Sequence, residues 1–393
     1  MSSHINTLYL PLDTTALSLG AEKVALELQV VCEQSNDTLN LVRNGSRGMF
    51  WLEPMLEVAT KNGRVAYGPV QAEDVRGLLA SGLLEGVQDH PLCLGLVENI
   101  PYLKKQQRLT FKRVGIINPV SVEDYIKHDG FIGLKNAFSK TPQQLVDEVK
   151  DSGLRGRGGA AFPTGIKWQT VLTAPSPQKY IVCNADEGDS GTFADRMLME
   201  GDPLSLIEGM IIAGLAVGAT QGYIYLREEY PQAHKILNQA IAAAKAANYL
   251  GDNIQGSGQN FEMEVRLGAG AYICGEETSL LESLEGKRGQ VRAKPPLPAI
   301  EGLFGLPTVV NNVISLATVP TILAHGAQYY QDFGMGRSRG TLPFQLAGNL
   351  KNTGLVELAF GPSLHELLFE FGGGTRTNKP MRAVQVGGPP GAY

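Results

Sequence analysis

The chain has 393 residues, of which 43% are apolar and 19% charged, with a net charge of −5. That length predicts roughly two to three domains. The composition is that of a globular protein able to bury a substantial core, and the acidic balance gives no reason to expect nucleic acid or an anionic membrane as a partner. The N-terminus, "MSSHINTLYLPLD", has no basic stretch ahead of an apolar one, and the most apolar run, "MIIAGLAVGA" at 210–219, is too short and glycine-rich to span a bilayer. A cytoplasmic location with no membrane segment is the expectation. Cys32, Cys93, Cys183 and Cys274 are scattered without CxxC or other metal-ligand spacing, so neither a disulfide framework nor a locally built iron–sulfur cluster is indicated.

Taken in chain order, "TLYLPL" predicts a strand, 21–32 a helix, "TLNLVR", "MLEVAT" and "RVAYGPV" three further strands, and 72–79 a helix. This βαββα order suits a thioredoxin-like layer. Residues 91–120 read as an irregular connection carrying the cationic stretch "LKKQQRLTFKR" at 103–113, which suits a solvated face or a docking surface for a partner subunit. Helical signals begin at Ser121. In "TPQQLVDEVKDSG", Thr141 serves as N-cap, Pro142 takes the first helical position, Gln144 closes a capping box and Gly153 ends the helix. Beyond it, "KYIVCNAD", "QGYIYLR" and "FEMEVRLG" read as strands alternating with helices over 202–218 and 230–250, the pattern of an α/β sheet. After about Tyr330 the segments shorten: "LPFQLAG", "LVELAF", "SLHELLFEFGGG" and "RAVQVGG" suggest an α+β module of strands around one short helix.

The helix over 141–153 leads into "GLRGRGGAAFPTGIKW" at 153–168, which holds five glycines and three cationic side chains. A bare backbone beside Arg155, Arg157 and Lys167 suits a bound phosphate, because peptide N–H groups can close around an anion. Gly156, Gly158 and Ala161 also spell the GxGxxA dinucleotide fingerprint, but that motif needs a strand before the turn and here a helix precedes it. A surface linker is the bland alternative, opposed by Phe162, Ile166 and Trp168, which look packed.

Three more segments share the theme. "NADEGDSGTFADR" at 184–196 ends a strand in a carboxylate-rich turn, where Asn184, Asp186, Glu187 and Asp189 suit a metal or the hydroxyls of a polyol or ribose. "GAGAYICGEETSLLESLEGKRGQ" at 268–290 follows another strand, with Gly268, Gly270 and Gly275 clearing space, Tyr272 as an aromatic wall, and Glu276 and Glu277 as ligands or simply an acidic helix start. "PTVVNNVISL" presents Asn311 and Asn312, which taken alone are turn formers. Together the segments describe a large, polar, phosphate-bearing cofactor in a glycine-paved cleft at strand ends.

On these four segments, with "KRGQVRAKPPLPA" and "GLPTVVNNV", the chain from about 120 to 393 resembles the family of flavin-bearing, NADH-oxidising 51-kilodalton subunits of respiratory NADH dehydrogenase, also found in NAD-linked hydrogenases and formate dehydrogenases. The resemblance implies that Gly156, Gly158, Gly159, Lys167, Asn184, Asp186, Glu187, Tyr272, Gly275, Glu276, Asn311 and Asn312 surround FMN, and that Phe162, Asp189, Glu277 and Lys294 face NAD(H). It implies no protein nucleophile: hydride passes between stacked nicotinamide and flavin, and electrons then leave singly for iron–sulfur clusters. Leu297 and Thr170 stand where the family often has phenylalanines that sandwich adenine, and Asp189 replaces a usual Glu.

The implied architecture is α/β and α+β multidomain: a thioredoxin-like unit at 1–105, a linker at 106–120, an FMN- and NADH-binding α/β domain at 121–335, and a ubiquitin-like β-grasp module at 336–393. The family carries a [4Fe–4S] cysteine motif in a C-terminal helical domain, a motif absent from this sequence, which ends within the β-grasp module. The N-terminal unit resembles thioredoxin-like ferredoxins whose CxGxC supplies cluster ligands, but "SRGMF" puts Ser46 and Phe50 at those positions, and a phenyl ring cannot bind iron. In domain order the chain is most similar to the beta subunit of soluble NAD-dependent formate dehydrogenase, which implies an iron–sulfur thioredoxin-like subunit and a molybdenum-containing catalytic subunit as partners. Hydrogenase and respiratory diaphorase subunits are the alternatives, and a catalytically silent nucleotide-binding assembly module is the alternative of another class.

Overall fold

The computed structural model describes residues 6–35, 39–388 and 391–392. Residues 1–5 and 36–38 of the expected N-terminal unit, Thr38 of the expected strand "TLNLVR" among them, and 389, 390 and 393 of the expected last one, lie outside the described residues.

The N-terminal unit comprises β1 (Asn6–Tyr9), α1 (Thr14–Ser18), α2 (Ala21–Ser35), β2 (Leu39–Val42), β3 (Leu56–Thr60), β4 (Gly63–Tyr67), α3 (Val75–Ala80) and β5 (Cys93–Leu96). Its sheet order is β2-β1-β3-β4-β5, with β1 and β2 parallel and the remaining pairs antiparallel. Ala21, Val24, Ala25 and Leu28 recur at helical spacing on α2 and are buried against Leu8, Leu10, Val58 and Val75. Strand β5 falls where the sequence suggested an irregular connection; its four residues are all half-buried, so no alternation marks them.

The cationic stretch at 103–113, expected as a solvated or docking face, is split: Lys104 and Lys105 are exposed, whereas Arg108 and Arg113 turn inward. After α4 (Pro101–Lys104), Arg108 donates to the Arg47 carbonyl at 2.5 Å, and the buried Arg113 pairs with Asp202 at 2.9 Å. Partners some sixty to ninety residues away satisfy both guanidinium groups, which is why they can be buried. Residues 106–120, read as a linker, contribute Leu109, Phe111, Val114 and Ile117 to the largest core.

The next region carries α5 (Val122–Lys127), α6 (Ile132–Ala137), α7 (Pro142–Asp151), α8 (Thr164–Thr173), β6 (Tyr180–Ala185), α9 (Ala194–Gly201), α10 (Pro203–Val217), β7 (Gln221–Leu226), α11 (Pro231–Ala246), β8 (Glu262–Leu267), α12 (Glu277–Leu284), β9 (Thr308–Asn312) and α13 (Val313–His325). The capping box on α7 forms as its sequence predicts, with Thr141 N donating to Gln144 Oε1 at 2.8 Å, and Gly153 follows at φ 73°. The four strands run parallel in the order β8-β7-β6-β9. On one face Ile181, Cys183 and Ile224 join α10 and α13 in the main core. On the other, Val182, Tyr225 and Val310 meet Leu280 and Leu281 of α12. Apolar around most of its circumference, α10 is buried as such a helix must be. Its one acidic residue, Glu208, accepts from Tyr125 Oη and from the backbone N–H groups of Phe131 and Leu134, fastening α5 and α6.

After α14 (Ala327–Gln331), β10 (Gly334–Met335) pairs with β11 (Ser338–Arg339), and β12 (Thr341–Leu346) forms an antiparallel pair with β13 (Gly354–Ala359). The 366–371 segment is a short helix. Expected as a strand, "RAVQVGG" has only an isolated bridge from Val386 to Ala392. A third core joins the chain's two ends: Met49, Met55 and Tyr102 pack with Leu346, Val356, Leu358 and Phe371. There the stretch at 46–50 is zipped to β13, Leu355 N donating to Gly48 O at 3.0 Å and Phe50 N to Thr353 O at 3.2 Å. A Cβ at Gly354 would stand 1.9 Å from Gly48 O, so only glycine fits. Ser46 Oγ donates to Glu53 Oε1 at 2.6 Å, and the Phe50 ring lies 4.9 Å from that of Phe193.

Glu53 of the N-terminal unit and Glu200 of α9 are both buried. Glu200 accepts from Thr14 N at 2.7 Å and Thr14 Oγ1 at 2.6 Å. Burial, and then the charge of Asp13, pushes Glu53 up to about 8 and Glu200 up to about 7 from an ordinary 4.5. Both groups stay protonated in the fold where the unfolded chain has ionised them. Their stabilisation is therefore complete below about pH 4.5 and is lost as pH rises through 7 and 8, at about 1.4 kcal/mol per group and pH unit. The thermal midpoint is expected to fall by several degrees between about pH 6 and 9, and the fall should shrink in Glu53→Gln. Melting curves at both pH values test this; an equal fall in the variant would refute the assignment.

Candidate functional site

The glycine loop, the 186–193 turn and the 268–277 segment converge at the C-terminal ends of β6 and β9. The register places Asn184 beside Asn312 and Cys183 beside Asn311. Asn311 and Asn312 therefore close a buried parallel strand and are not the turn formers their isolated reading suggested. Asn311 Oδ1 accepts from Trp168 Nε1 at 2.8 Å, holding α8 against β9. Asn312 Oδ1 caps α13, accepting from Ile314 N at 2.9 Å. Asn184 Nδ2 donates to Gly275 O at 2.8 Å.

The loop from 153 to 163 lies on this strand end. A Cβ on Gly158 would stand 3.2 Å from the Asn312 Cβ, whereas Gly159, at φ 107°, opens onto free space. Gly156 N donates to Phe162 O at 2.8 Å, closing the loop, and the Phe162 ring is exposed. Arg157, read as a phosphate-binding cation, instead turns away: its guanidinium donates to Tyr330 Oη at 2.7 Å and Arg339 O at 2.8 Å, anchoring the loop to the region beyond α13. Nothing near it in sequence could have signalled partners so distant.

Lys167 and Lys294 are both held by acids. Lys167 Nζ reaches Glu277 Oε2 at 3.1 Å and Val310 O at 2.8 Å. Lys294 Nζ bridges Glu276 Oε1 and Glu277 Oε1, each at 2.9 Å. Glu276 also caps α12 through Thr278 N and Ser279 N, so the acidic helix start is part of its role. Against the upward push of burial, the hydrogen bonds from Thr278 and Lys294 hold Glu276 down to about 2. Glu277 is lowered too, chiefly by the charge of Lys167 acting against burial. The pairs leave two cations balanced by two carboxylates at a helix N-terminus, where an incoming anion can take over the lysines.

Asp186 is buried and pushed up to about 6 by burial, against the opposing charge of Arg227. A Cβ on Gly188 would meet Asp186 Oδ2 at 2.8 Å and the Tyr272 ring at 3.1 Å, and one on Gly275 would meet Asp186 Oδ2 at 3.1 Å, so bare backbone packs this carboxyl. Tyr272 Oη donates to Asp189 Oδ1 at 2.7 Å. Glu187 turns its carboxylate to the start of α9, accepting from Asp195 N at 2.9 Å, Arg196 N at 3.0 Å and Tyr230 Oη at 3.0 Å. Two residues that the sequence pattern does not single out belong to this constellation: Asp195, whose Oδ2 accepts from Asn312 Nδ2 at 2.6 Å, and Gly188. Both lie inside the carboxylate-rich stretch at 184–196, but their partners are brought by β9 and the 268–277 segment.

Among the described residues no group of His, Cys, Asp and Glu is arranged to hold a metal ion; within the 184–196 turn, Glu187 and Asp189 accept from backbone N–H groups and tyrosine hydroxyls. None of the helices among them is long and apolar enough to cross a membrane. The residues present fit a flavin nucleotide: Gly159 opens onto free space, Gly158 brings bare backbone against Asn312, and Lys167 offers a cationic donor.

Comparison with known proteins points to the same cofactor. A family described as the Nuo51 FMN-binding domain matches residues 149–321. The NADP-reducing hydrogenase subunit HndC of Solidesulfovibrio fructosivorans is 51% identical over 288 residues, covering 73% of this chain and 59% of that one. An NADH-quinone oxidoreductase subunit of Aquifex aeolicus is 46% identical over 286 residues, covering 73% of this chain and 67% of that one. Among solved structures, the NAD+-reducing [NiFe]-hydrogenase in its H2-reduced state aligns over 92% of this chain and 60% of its own, at 27% identity and a TM-score of 0.57. The chain thus spans about three fifths of HndC and of that hydrogenase chain.

Proposed function

This chain belongs to the Nuo51 FMN-binding family, the 51-kilodalton subunits of NADH dehydrogenases and related enzymes, and from that premise we propose that it is a diaphorase subunit exchanging hydride between NAD(H) and FMN. The observation that carries the reading is the glycine cradle at Gly158 and Gly159, set against Asn312 at the end of β9. When bound, FMN supplies an acceptor for the hydride pair and releases electrons one at a time. The protein's own work is placement: the loop presents bare backbone, Lys167 offers charge from α8, and Asn184, Asp186, Asn311 and Asn312 offer fixed polar groups at the strand ends. Phe162, Asp189, Glu277 and Lys294 form the dinucleotide side of the proposed cleft.

Around this centre we read the N-terminal sheet as thioredoxin-like, supported by the parallel β1–β2 pair joined through α2 and followed by antiparallel β3 and β4. The β12–β13 pair and the 366–371 helix are read as part of a β-grasp module. The electrons would pass to iron–sulfur centres of partner chains in a cytoplasmic complex. Formate dehydrogenase membership, with its molybdenum-containing partner, rests on domain order alone, whereas the names of the relatives favour a hydrogenase or an NADH dehydrogenase. We therefore adopt the latter context.

The test is cofactor content. Purified chain supplied with FMN should take up one FMN per chain, read from flavin absorbance after gel filtration. Protein that stays colourless after that treatment would overturn the reading.

A further inference from the structure

We infer that Asp195 is a positioning residue of the cleft: its carboxyl fixes the side-chain amide of Asn312 so that a single N–H is left on the side of the glycine loop. The inference rests on the FMN reading above and concerns a residue that touches the cofactor only through another.

A primary amide offers one acceptor oxygen and two N–H donors. In Asn312 the oxygen caps α13 through Ile314 N at 2.9 Å, and Nδ2 donates to Asp195 Oδ2 at 2.6 Å. Turning the amide over would set its NH2 against the helix N–H of Ile314, so the cap on α13 opposes a flip while Asp195 holds Nδ2 in place. Asp195 itself cannot move out of the way. It is 5% exposed, sits in the first turn of α9, and its backbone N–H is held by Glu187 Oε1 at 2.9 Å. Glu187 is in turn held by Arg196 N and Tyr230 Oη. The remaining N–H belongs to a nitrogen 3.9 Å from where a Gly158 Cβ would lie. A donor locked in place before the ligand arrives gives up no rotamer freedom on binding.

The groups facing this carboxyl are the Asn312 amide, the Glu187 carboxylate and the buried Cys183 thiol. Burial, and next the neighbouring Glu187, pushes Asp195 well above the usual carboxylate range, against the hydrogen bond from Asn312. An uncharged acid still accepts through its carbonyl oxygen, and an asparagine at 195 presents the same acceptor. Asp195→Asn should therefore rescue what Asp195→Ala or Asp195→Leu loses; the leucine variant keeps the packed volume without an acceptor.

The experiment titrates the flavin-free 393-residue chain with FMN, following the quenching of flavin fluorescence, with melting curves of each variant alongside. Asp195→Leu and Asp195→Ala should bind FMN about tenfold more weakly, the scale of one oriented hydrogen bond, while Asp195→Asn stays within about twofold. Asn312→Ser keeps a good helix cap and deletes the amide. On that background Asp195→Leu should cost no further affinity. Unchanged affinity in Asp195→Leu, or losses that multiply with Asn312→Ser, would overturn the inference while leaving the FMN reading intact. A parent chain that binds no FMN would overturn the FMN reading and this inference with it.

Discussion

A Gly158→Leu chain is expected to emerge from purification without flavin and to bind added FMN on the order of a hundredfold more weakly than the parent. The first atom of the new side chain would already lie 3.2 Å from Asn312 Cβ, tighter than ordinary van der Waals contact, and Asn312 cannot yield without releasing its cap on α13. The isobutyl group is therefore driven toward the cleft. Over-packing of this kind costs roughly 1–3 kcal/mol, and with the ligand in place the strain falls on the bound state. Absorbance after incubation with FMN, together with the melting midpoint of the flavin-free variant, decides the matter. Flavin content equal to that of the parent would place Gly158 outside the cleft.

The second large effect concerns which donor the chain can use by itself. Loaded with FMN, the chain alone should reduce ferricyanide or a viologen dye with NADH, because hydride transfer asks only for the flavin and a dinucleotide placed beside it. With formate or hydrogen as donor the same sample should give no dye reduction until partner subunits are added. Neither small donor carries a nucleotide to engage Lys294 and Glu277, which are linked at 2.9 Å and which we propose face the dinucleotide. Dye reduction by the isolated chain with formate would end the diaphorase reading, and NADH-dependent reduction that appears only with partners would move the flavin to another chain.

Much of this was legible in the sequence where structure is made locally. The capping box at Thr141 and Gln144, the alternation of strands with helices from 179 to 268, and the apolar stripe of α2 depend on neighbours within a few residues. The four candidate segments were visible for the same reason, since each concentrates glycines, carboxylates or asparagines within a few residues. What escaped depends on distance. Strand β9 has only two consecutive valines before its asparagines and owes its pairing to β6, more than a hundred residues earlier. Strand β5 has no buried face of its own. Arg108, Arg113 and Arg157 look like surface cations until the fold brings Arg47 O, Asp202 and Tyr330 to them. Asp195 escapes on the same account, since its carboxyl accepts from Asn312 of β9, more than a hundred residues away.

The third core, where Met49 and Met55 pack with Val356 and Leu358, also sets a timetable for the ribosome. Translation at roughly 5–20 residues per second separates those two sets by about fifteen to sixty seconds. During that interval the nascent N-terminal sheet can already close its inner face around Leu8, Val58 and Val75. The methionine face beside it stays uncovered, as does the backbone of Gly48 and Phe50 that later pairs with β13. An unfinished chain therefore exposes an apolar patch next to unpaired backbone groups, a natural substrate for a chaperone during synthesis and a seed for aggregation if translation stalls before Gly354.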